Sequence, residues 1–118
     1  MNEPLSLQAI YAEISTIVSA FSLLECDKCA IAVQQWTNQN RVPSKILKLK
    51  TKRRSDVYII SDRIPSNETI TENGTHYGVE VMGKVFDNLS PEGMSREQWL
   101  KDFHCRSGQF ILEERDSL

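Results

Sequence analysis

The spacing of the apolar residues changes at Pro43, and this change constrains the fold more than any other feature of the sequence. Before Pro43, apolar residues recur at three- and four-residue steps, which predicts a helix over about residues 6–24. Asp27 is suited to cap a second helix, which we expect to run to about Asn40. After Pro43, apolar and polar residues alternate, as they do in strands that bury one face. The helices therefore come first and the sheet follows.

The alternating part of the chain predicts an antiparallel sheet interrupted by one short helix. We expect strands over residues 46–49, 57–60, 75–81, 84–87 and 109–113. Pro91 and Gly93 should break the chain after the fourth strand. Ser95 and Gln98 have the spacing of a capping box, so a helix should start there and run to Phe103. Together these elements predict an α+β fold in which N-terminal helices pack on an antiparallel sheet.

The size and composition of the chain predict one folded domain over residues 1–118. An apolar fraction of 40% and a charged fraction of 25% are typical of globular proteins. A net charge of −2 provides no overall attraction to nucleic acid or to an anionic membrane, so we expect neither as a partner. No signal peptide is apparent, and the three cysteines do not form the even set of a secreted disulfide framework. We therefore expect a chain that is made in the cytoplasm with reduced thiols.

Cys29 is the first candidate for a catalytic residue, because the second helix should place it in its first turn. Free amides and the positive end of the helix dipole favour a thiolate at that position. The backbone amide of Cys29 is then the expected donor to an oxyanion. The plainer alternative is a small buried side chain on the apolar face of the helix, which is the commoner environment of a lone cysteine.

His76 is the candidate base, because histidine is the side chain best suited to accept a thiol proton near neutral pH. If the turn at Met82 and Gly83 has two residues, His76 and Asp87 share a sheet face as diagonal neighbours. The carboxylate is then close enough to orient the imidazole. A bulge at Gly83 would instead bring Asn88 forward. The plainer alternatives are a hydrogen-bonded sheet histidine and two polar residues that belong to a turn.

Three segments of the chain carry a family resemblance. They are ECDKCA at residues 25–30, ITENGTHYGV at 70–79 and VFDNLSPEGMSREQW at 85–99. Together they resemble the papain-fold toxin 2 family over most of the chain. The resemblance implies a papain-like fold with the nucleophile at the start of the second helix and the histidine and aspartate on the sheet. Matched by position, the implied triad is Cys29 as nucleophile, His76 as base and Asp87 as orienting acid.

The same resemblance implies a cysteine peptidase, amidase or deamidase that serves as a toxin domain in bacterial conflict systems. The implied partners are a protein or peptide substrate and a cognate immunity or antitoxin protein. Such a toxin can leave the cell without a Sec signal, and its chemistry needs no cofactor and no metal. Hydrolysis, deamidation and acyl transfer stay open, because the same triad serves all three.

Two other interpretations use the same residues. One is a papain-fold binding module without catalytic activity, in which Cys29 would show no selective reactivity. The other is a zinc-binding structural domain with Cys26, Cys29, His104 and Cys105 as ligands. The first two have suitable spacing, but the adjacent His104 and Cys105 point to opposite sides of an extended backbone. The sequence therefore favours a cysteine hydrolase over either alternative, with Cys26 and Cys105 as packing or non-catalytic thiols.

The charged residues outside these segments have a simpler interpretation. A run of six basic residues follows Pro43: Lys45, Lys48, Lys50, Lys52, Arg53 and Arg54. We expect them to line a solvated strand edge, where lysine discourages pairing between sheets. The acidic residues Glu113, Glu114 and Asp116 are expected at a solvated chain end.

Overall fold

The structure is a computed structural model that describes residues 5–118. Its elements in chain order are α1 (Leu7–Val18), α2 (Cys26–Gln39), β1 (Ser44–Thr51), β2 (Ile60–Ser61), β3 (Thr75–Val81), β4 (Lys84–Asp87), β5 (Ser90–Met94), α3 (Arg96–Lys101), β6 (Phe103–His104) and β7 (Phe110–Arg115). Five strands form one antiparallel sheet in the order β5-β4-β3-β1-β7, and β2 pairs with β6. Helices packed on an antiparallel sheet confirm the predicted α+β class.

Apolar side chains on both faces of the five-stranded sheet divide the core in two. On one face, α1 and α2 pack against β1, β3 and β4 through residues such as Ile14, Val33 and Ile46. On the other face, Leu47 and Leu49 of β1 join the cluster that contains Trp99. Alternation along β1 thus sends neighbouring side chains into different clusters, as expected for a strand buried on both faces.

The two helices begin and end at different residues from those expected. α1 ends at Val18, with Ser19 as its C-cap. In the turn that follows, the amide and hydroxyl of Ser22 both donate to the Glu25 carboxylate at 2.8 Å. Leu24 adopts a positive φ of 73° in this turn. α2 starts at Cys26 with Glu25 as its N-cap, so Asp27 lies inside the first turn and does not cap it. Cys26 is therefore the first residue of α2, and Cys29 is the fourth.

The β3–β4 hairpin has the two-residue turn on which the predicted pairing of His76 with Asp87 depends. Met82 and Gly83 both have positive φ, 50° and 89°, and Val81 pairs directly with Lys84. Positive φ at both central residues is the geometry that matches the twist of a two-residue hairpin. The same register continued by one pair sets Gly78 opposite Asp87, which makes His76 and Asp87 diagonal neighbours.

Pro91 and Gly93 lie within strand β5 and do not end the sheet as expected. β5 is an edge strand, where the missing amide of a proline need not cost a ladder hydrogen bond. The predicted strand at 57–60 is reduced to the short β2. The capping box of α3 is confirmed, since the Ser95 hydroxyl accepts from the Gln98 amide and the Gln98 side chain accepts from Ser95. α3 ends at Lys101, two residues before Phe103.

Lysines of the basic run in β1 pair with glutamates of the acidic chain end in the neighbouring strand β7. β1 is not an edge strand, because it lies between β3 and β7. Lys45 contacts Glu114 at 3.3 Å and Lys50 contacts Glu113 at 3.4 Å, so the expectation of a solvated edge was wrong for these residues. Within residues 5–118, no helix combines the length and the apolar character that crossing a bilayer requires.

Candidate active site

His76 and Asp87 form a buried pair on the face of the sheet that carries Trp99. The Nε2 atom of His76 lies 3.0 Å from Oδ2 of Asp87, and neither side chain reaches solvent. The imidazole packs against two aromatic rings that also contact each other, with ring centroids 5.9 Å from Trp99 and 5.0 Å from Phe103. Both the tautomer and the plane of the imidazole are therefore constrained.

The Asp87 carboxylate accepts four hydrogen bonds besides its contact with His76. The guanidinium of Arg63 donates one bond of 2.8 Å to each carboxylate oxygen. The indole of Trp99 donates at 2.9 Å, and the amide of Leu89 donates at 3.1 Å. Burial by itself would raise the pKa of Asp87, but His76 and Arg63 hold it well below its usual range. Asp87 is thus a fixed negative charge next to the imidazole.

Asn88, the other candidate for the orienting residue, points away from His76. Its side-chain amide donates to the carbonyl of Ser22 at 2.8 Å, which ties the end of β4 to the turn before α2. The irregularity in the ladder lies between β4 and β5, at Val85 to Asp87, and not at Gly83. The structure therefore brings Asp87, and not Asn88, to His76, as the two-residue turn predicts.

The second ring nitrogen of His76, Nδ1, is not used by Asp87. Nδ1 is buried and has no hydrogen-bond partner among residues 5–118. Burial lowers the pKa of His76, but the Asp87 carboxylate and the nearby Cys26 thiol outweigh it and raise this pKa to about 9. Cys26, and not Cys29, is therefore the candidate thiol for His76.

Cys29 does not have the environment that its expected role requires. Its amide donates to the carbonyl of Glu25 at 3.0 Å, so this amide is not free to bind an oxyanion, contrary to expectation. The side chain is 1% exposed and packs in the cluster under α1 and α2. Burial, together with the nearby Asp87 carboxylate and the Cys26 thiol, raises the pKa of the Cys29 thiol to about 12. These features match the plainer alternative of a packing residue.

Cys26 lies at the edge of a cleft of about 440 Å³. The cleft is lined by residues from the start of α2, the loop before β3 and β3 itself: Leu24, Cys26, Asp27, Thr71, Glu72, Asn73, Thr75, Tyr77 and Leu118. Cys26 is one of these lining residues and is 7% exposed. The first three amides of a helix have no intrahelical acceptor, and here they belong to Cys26, Asp27 and Lys28. Thiol and free amides thus lie together at one helix start.

The structure does not bring together the four residues of the zinc alternative. His104 contacts Asp62 at 2.9 Å through Nε2, and Cys105 contacts the carbonyl of Gln109 at 3.6 Å. In the part of the chain that the structure describes, no group of three or more His, Cys, Asp or Glu side chains is placed to hold a metal ion. Cys26 and Cys29 lie in α2, apart from these contacts.

Three residues of the site were not found from the sequence. Arg63 and Asp102 follow short elements without periodicity, and Trp99 is marked only as the last residue of the segment at 85–99 that carries the family resemblance. Each belongs to the site through a tertiary contact to Asp87 or to Arg63. The capping box that starts α3 was the available signal for Trp99, because it predicts the helix that carries this residue.

The fold is α+β, with a cysteine at the start of a helix and a buried histidine and aspartate on the adjoining sheet. This is the arrangement of papain-like proteins. The sequence matches the family described as papain fold toxin 2 over residues 9–104, and the chain belongs to this family. Membership confirms the papain-like fold predicted from the three sequence segments. Neither the curated proteins nor the solved structures provide a match to the chain.

Proposed function

We propose that this protein is a cysteine hydrolase that acts on a protein substrate, with Cys26 as nucleophile, His76 as base and Asp87 as orienting acid. The observation that carries the proposal is the arrangement around the imidazole. Asp87 holds Nε2 at 3.0 Å, and Nδ1 has no hydrogen-bond partner among the described residues. Cys26 is the thiol that acts on the ring, so Nδ1 is the atom that would accept its proton. His76 and Asp87 keep the roles expected from the sequence, and the nucleophile moves from Cys29 to Cys26.

The reaction follows from these positions. The sulfur of Cys26 attacks a carbonyl or carboxamide carbon while its proton resides on Nδ1 of His76. A carbon–sulfur bond forms, and the carbon–nitrogen bond then breaks as the imidazolium gives its proton to the departing amine. Water attacks the resulting thioester and passes a proton to His76, the carbon–sulfur bond breaks, and the acid is released with the Cys26 thiolate beside the imidazolium. The Asp87 carboxylate stabilises the imidazolium at each stage.

The start of α2 supplies the stabilisation of the oxyanion in this proposal. Cys26 is the first residue of the helix, so its own amide has no intrahelical acceptor. The amides of Asp27 and Lys28 are in the same position, and the helix dipole adds positive potential at this end. Cys29 lies one turn too far along, where its amide is used by the helix.

The family makes a toxin role the best-supported biological context. We propose that the substrate is a protein or peptide of a competing cell and that a cognate immunity protein neutralises the activity. Release of ammonia from a carboxamide side chain and cleavage of a peptide bond both start with the same thioester. The choice of acceptor, water or an amine, depends on the shape of the cleft.

Growth of a bacterial host that expresses the protein tests the proposal. We expect the wild type and Cys105→Ala to slow growth, and Cys26→Ala to relieve the effect while the purified variant stays folded. Cys29→Ala is the matched comparison within the same helix turn. It should keep toxicity, with some loss of stability, because it removes a buried sulfur from the core. Relief by Cys29→Ala but not by Cys26→Ala would return the nucleophile to Cys29.

The same variants separate this proposal from a binding module without turnover. A module that acts by binding alone would keep its effect on growth after Cys26→Ala, because the side chain of alanine leaves the surface of the cleft nearly unchanged. Equal toxicity of the wild type and both cysteine variants would therefore favour binding over hydrolysis.

A further inference from the structure

The guanidinium of Arg63 is shared between two buried carboxylates. Its Nη1 and Nη2 atoms donate to Asp87 at 2.8 Å, and its Nε donates to Asp102 at 2.9 Å. Nη1 also donates to the Ser90 hydroxyl at 2.9 Å, and the side chain lies over the ring of Phe103 at 5.6 Å. Arg63 is therefore held from several sides, and its position fixes that of Asp87.

Asp102 anchors the far side of this arrangement. It is 7% exposed, caps the end of α3 and accepts a hydrogen bond from the Ser61 hydroxyl in addition to that from Arg63. Its carboxylate does not belong to the proposed triad. A buried carboxylate requires a compensating positive charge. For Asp102 this charge is Arg63, which lies between Asp102 and Asp87.

The charges of the cluster balance only when the imidazole is protonated. One guanidinium faces two carboxylates, so a negative charge remains and His76 is the group placed to compensate it. The other groups that face the imidazole are Cys26 from α2 and the uncharged Trp99 and Phe103 from α3 and β6. Without Asp102, the positive charge of Arg63 would act on Asp87 alone and offset more of its negative charge. The attraction between Asp87 and the imidazolium would then weaken.

We propose that Asp102 is a positioning residue that acts through Arg63: it takes up part of the guanidinium charge and so keeps Asp87 free to hold His76 as an imidazolium. This inference rests on the proposed function, in which the imidazolium of His76 is the group that gives its proton to the leaving amine. A purely structural Asp102 would contribute to stability alone, whereas a positioning Asp102 also sets the protonation of His76.

The experiment is an NMR titration of the imidazole nitrogens in the full-length protein, with the exposed His104 as an internal reference. Asp102→Asn removes the charge and keeps the size of the side chain. Asp102→Glu restores the charge, and Asp56→Asn is the matched control. Asp56 is also a buried carboxylate, 9% exposed, and it accepts from the amide of Ser107 at 3.0 Å. Asp102→Ser removes the same charge and replaces the Asn variant if that protein does not fold.

We expect Asp102→Asn to lower the titration midpoint of His76 by about one pH unit. Asp102→Glu should restore the midpoint, and Asp56→Asn should lose stability without moving it. A His76 midpoint that is the same in the wild type and in the charge-removing variants would overturn the proposal. The titration needs no turnover, so it decides the role of Asp102 even if Cys26→Ala leaves toxicity intact and the proposed hydrolase activity fails.

Discussion

Two cysteines three residues apart in one helix turn have different chemistry because they occupy different helix positions. Cys26 is the first residue of α2, with a free amide, and it lines the cleft. Cys29 is the fourth, with its amide bonded to Glu25 and its sulfur in the core. The dipole and the free amides act only within the first turn, so a shift of one turn separates a nucleophile from a packing residue.

The reactivity of the three thiols tests this contrast. With iodoacetamide at pH 7, we expect Cys26 to be alkylated first and Cys29 last, because burial raises the pKa of Cys29 to about 12. Peptide mass spectrometry after short exposures gives the rate at each cysteine. His76→Gln should slow the reaction of Cys26 and leave that of Cys105 unchanged. Alkylation of Cys29 ahead of Cys26 would contradict the proposed nucleophile.

Asp87 and Asn88 provide a second test at the level of single residues. Asp87→Asn should lower turnover by about 10²- to 10⁴-fold, because an amide cannot stabilise the imidazolium with a charge. Asn88→Ala removes only the hydrogen bond to the Ser22 carbonyl and should change turnover little. Rates of hydrolysis of a peptide substrate, measured with circular dichroism as a check on folding, compare the two. A larger loss of turnover in Asn88→Ala than in Asp87→Asn would mean that Asn88, and not Asp87, orients His76.

At the level of elements, the sequence predicts the long, periodic segments and the tight turn. The pairing of His76 with Asp87 follows from alternation on two strands joined by a two-residue turn, so local chemistry determines it. The start of α2 depends on the side chain of Glu25 reaching back to Ser22, and the difference of two residues between Asp27 and Glu25 as N-cap exchanges the expected roles of two cysteines. Such a difference lies within the ordinary uncertainty of a helix boundary.

The elements that the sequence did not predict are those that depend on tertiary neighbours. β5 contains Pro91 and Gly93, and it is a strand only because the edge of the sheet accepts it. β2 and β6 have two residues each, too few to show a period. Arg63 lies in the turn after β2, and its two carboxylate partners come from β4 and the end of α3. No local pattern connects these three segments.

The turn between β3 and β4 offers a test of the hairpin. Met82 is 50% exposed and has a φ of 50°, a conformation that costs a non-glycine residue about 1–2 kcal/mol. Met82→Asn supplies the Asn-Gly pair that this turn prefers, so we expect the free energy of unfolding to rise by about 0.5–1 kcal/mol. Gly83→Ala should lower it, because φ is 89° there, although nothing lies within 4 Å of the added carbon.

Urea unfolding curves measure both changes. If the dependence of the free energy of unfolding on urea concentration is the same in all variants, the difference between the midpoints gives the change in that free energy. Neither residue contacts His76 or Cys26, so reactivity at the site should stay as in the wild type. Stabilisation by Gly83→Ala would show that the turn has a different geometry from the one described.

At the scale of the whole molecule, the buried pair makes stability depend on pH in both directions. The pKa of Asp87 is lowered in the folded state, so its contribution is present above the ordinary value of 3.8 and is lost as the pH falls below it. The pKa of His76 is raised from 6.5 to about 9, so its contribution is complete below pH 6.5 and is lost as the pH rises towards 9. Maximal stability should therefore lie between about pH 4 and pH 6.5.

Urea unfolding at pH 5, 7 and 9 measures this profile, and we expect the free energy of unfolding to fall from pH 5 to pH 9. His76→Gln removes the titrating group, so its profile should be flatter between pH 6.5 and pH 9, although the variant is less stable at pH 5. Cys29 does not account for the same fall, because its thiol titrates from an ordinary value of 9.0 upwards and acts only above that range. An equal loss of stability from pH 5 to pH 9 in the wild type and in His76→Gln would mean that the imidazole is not held as a cation in the folded protein.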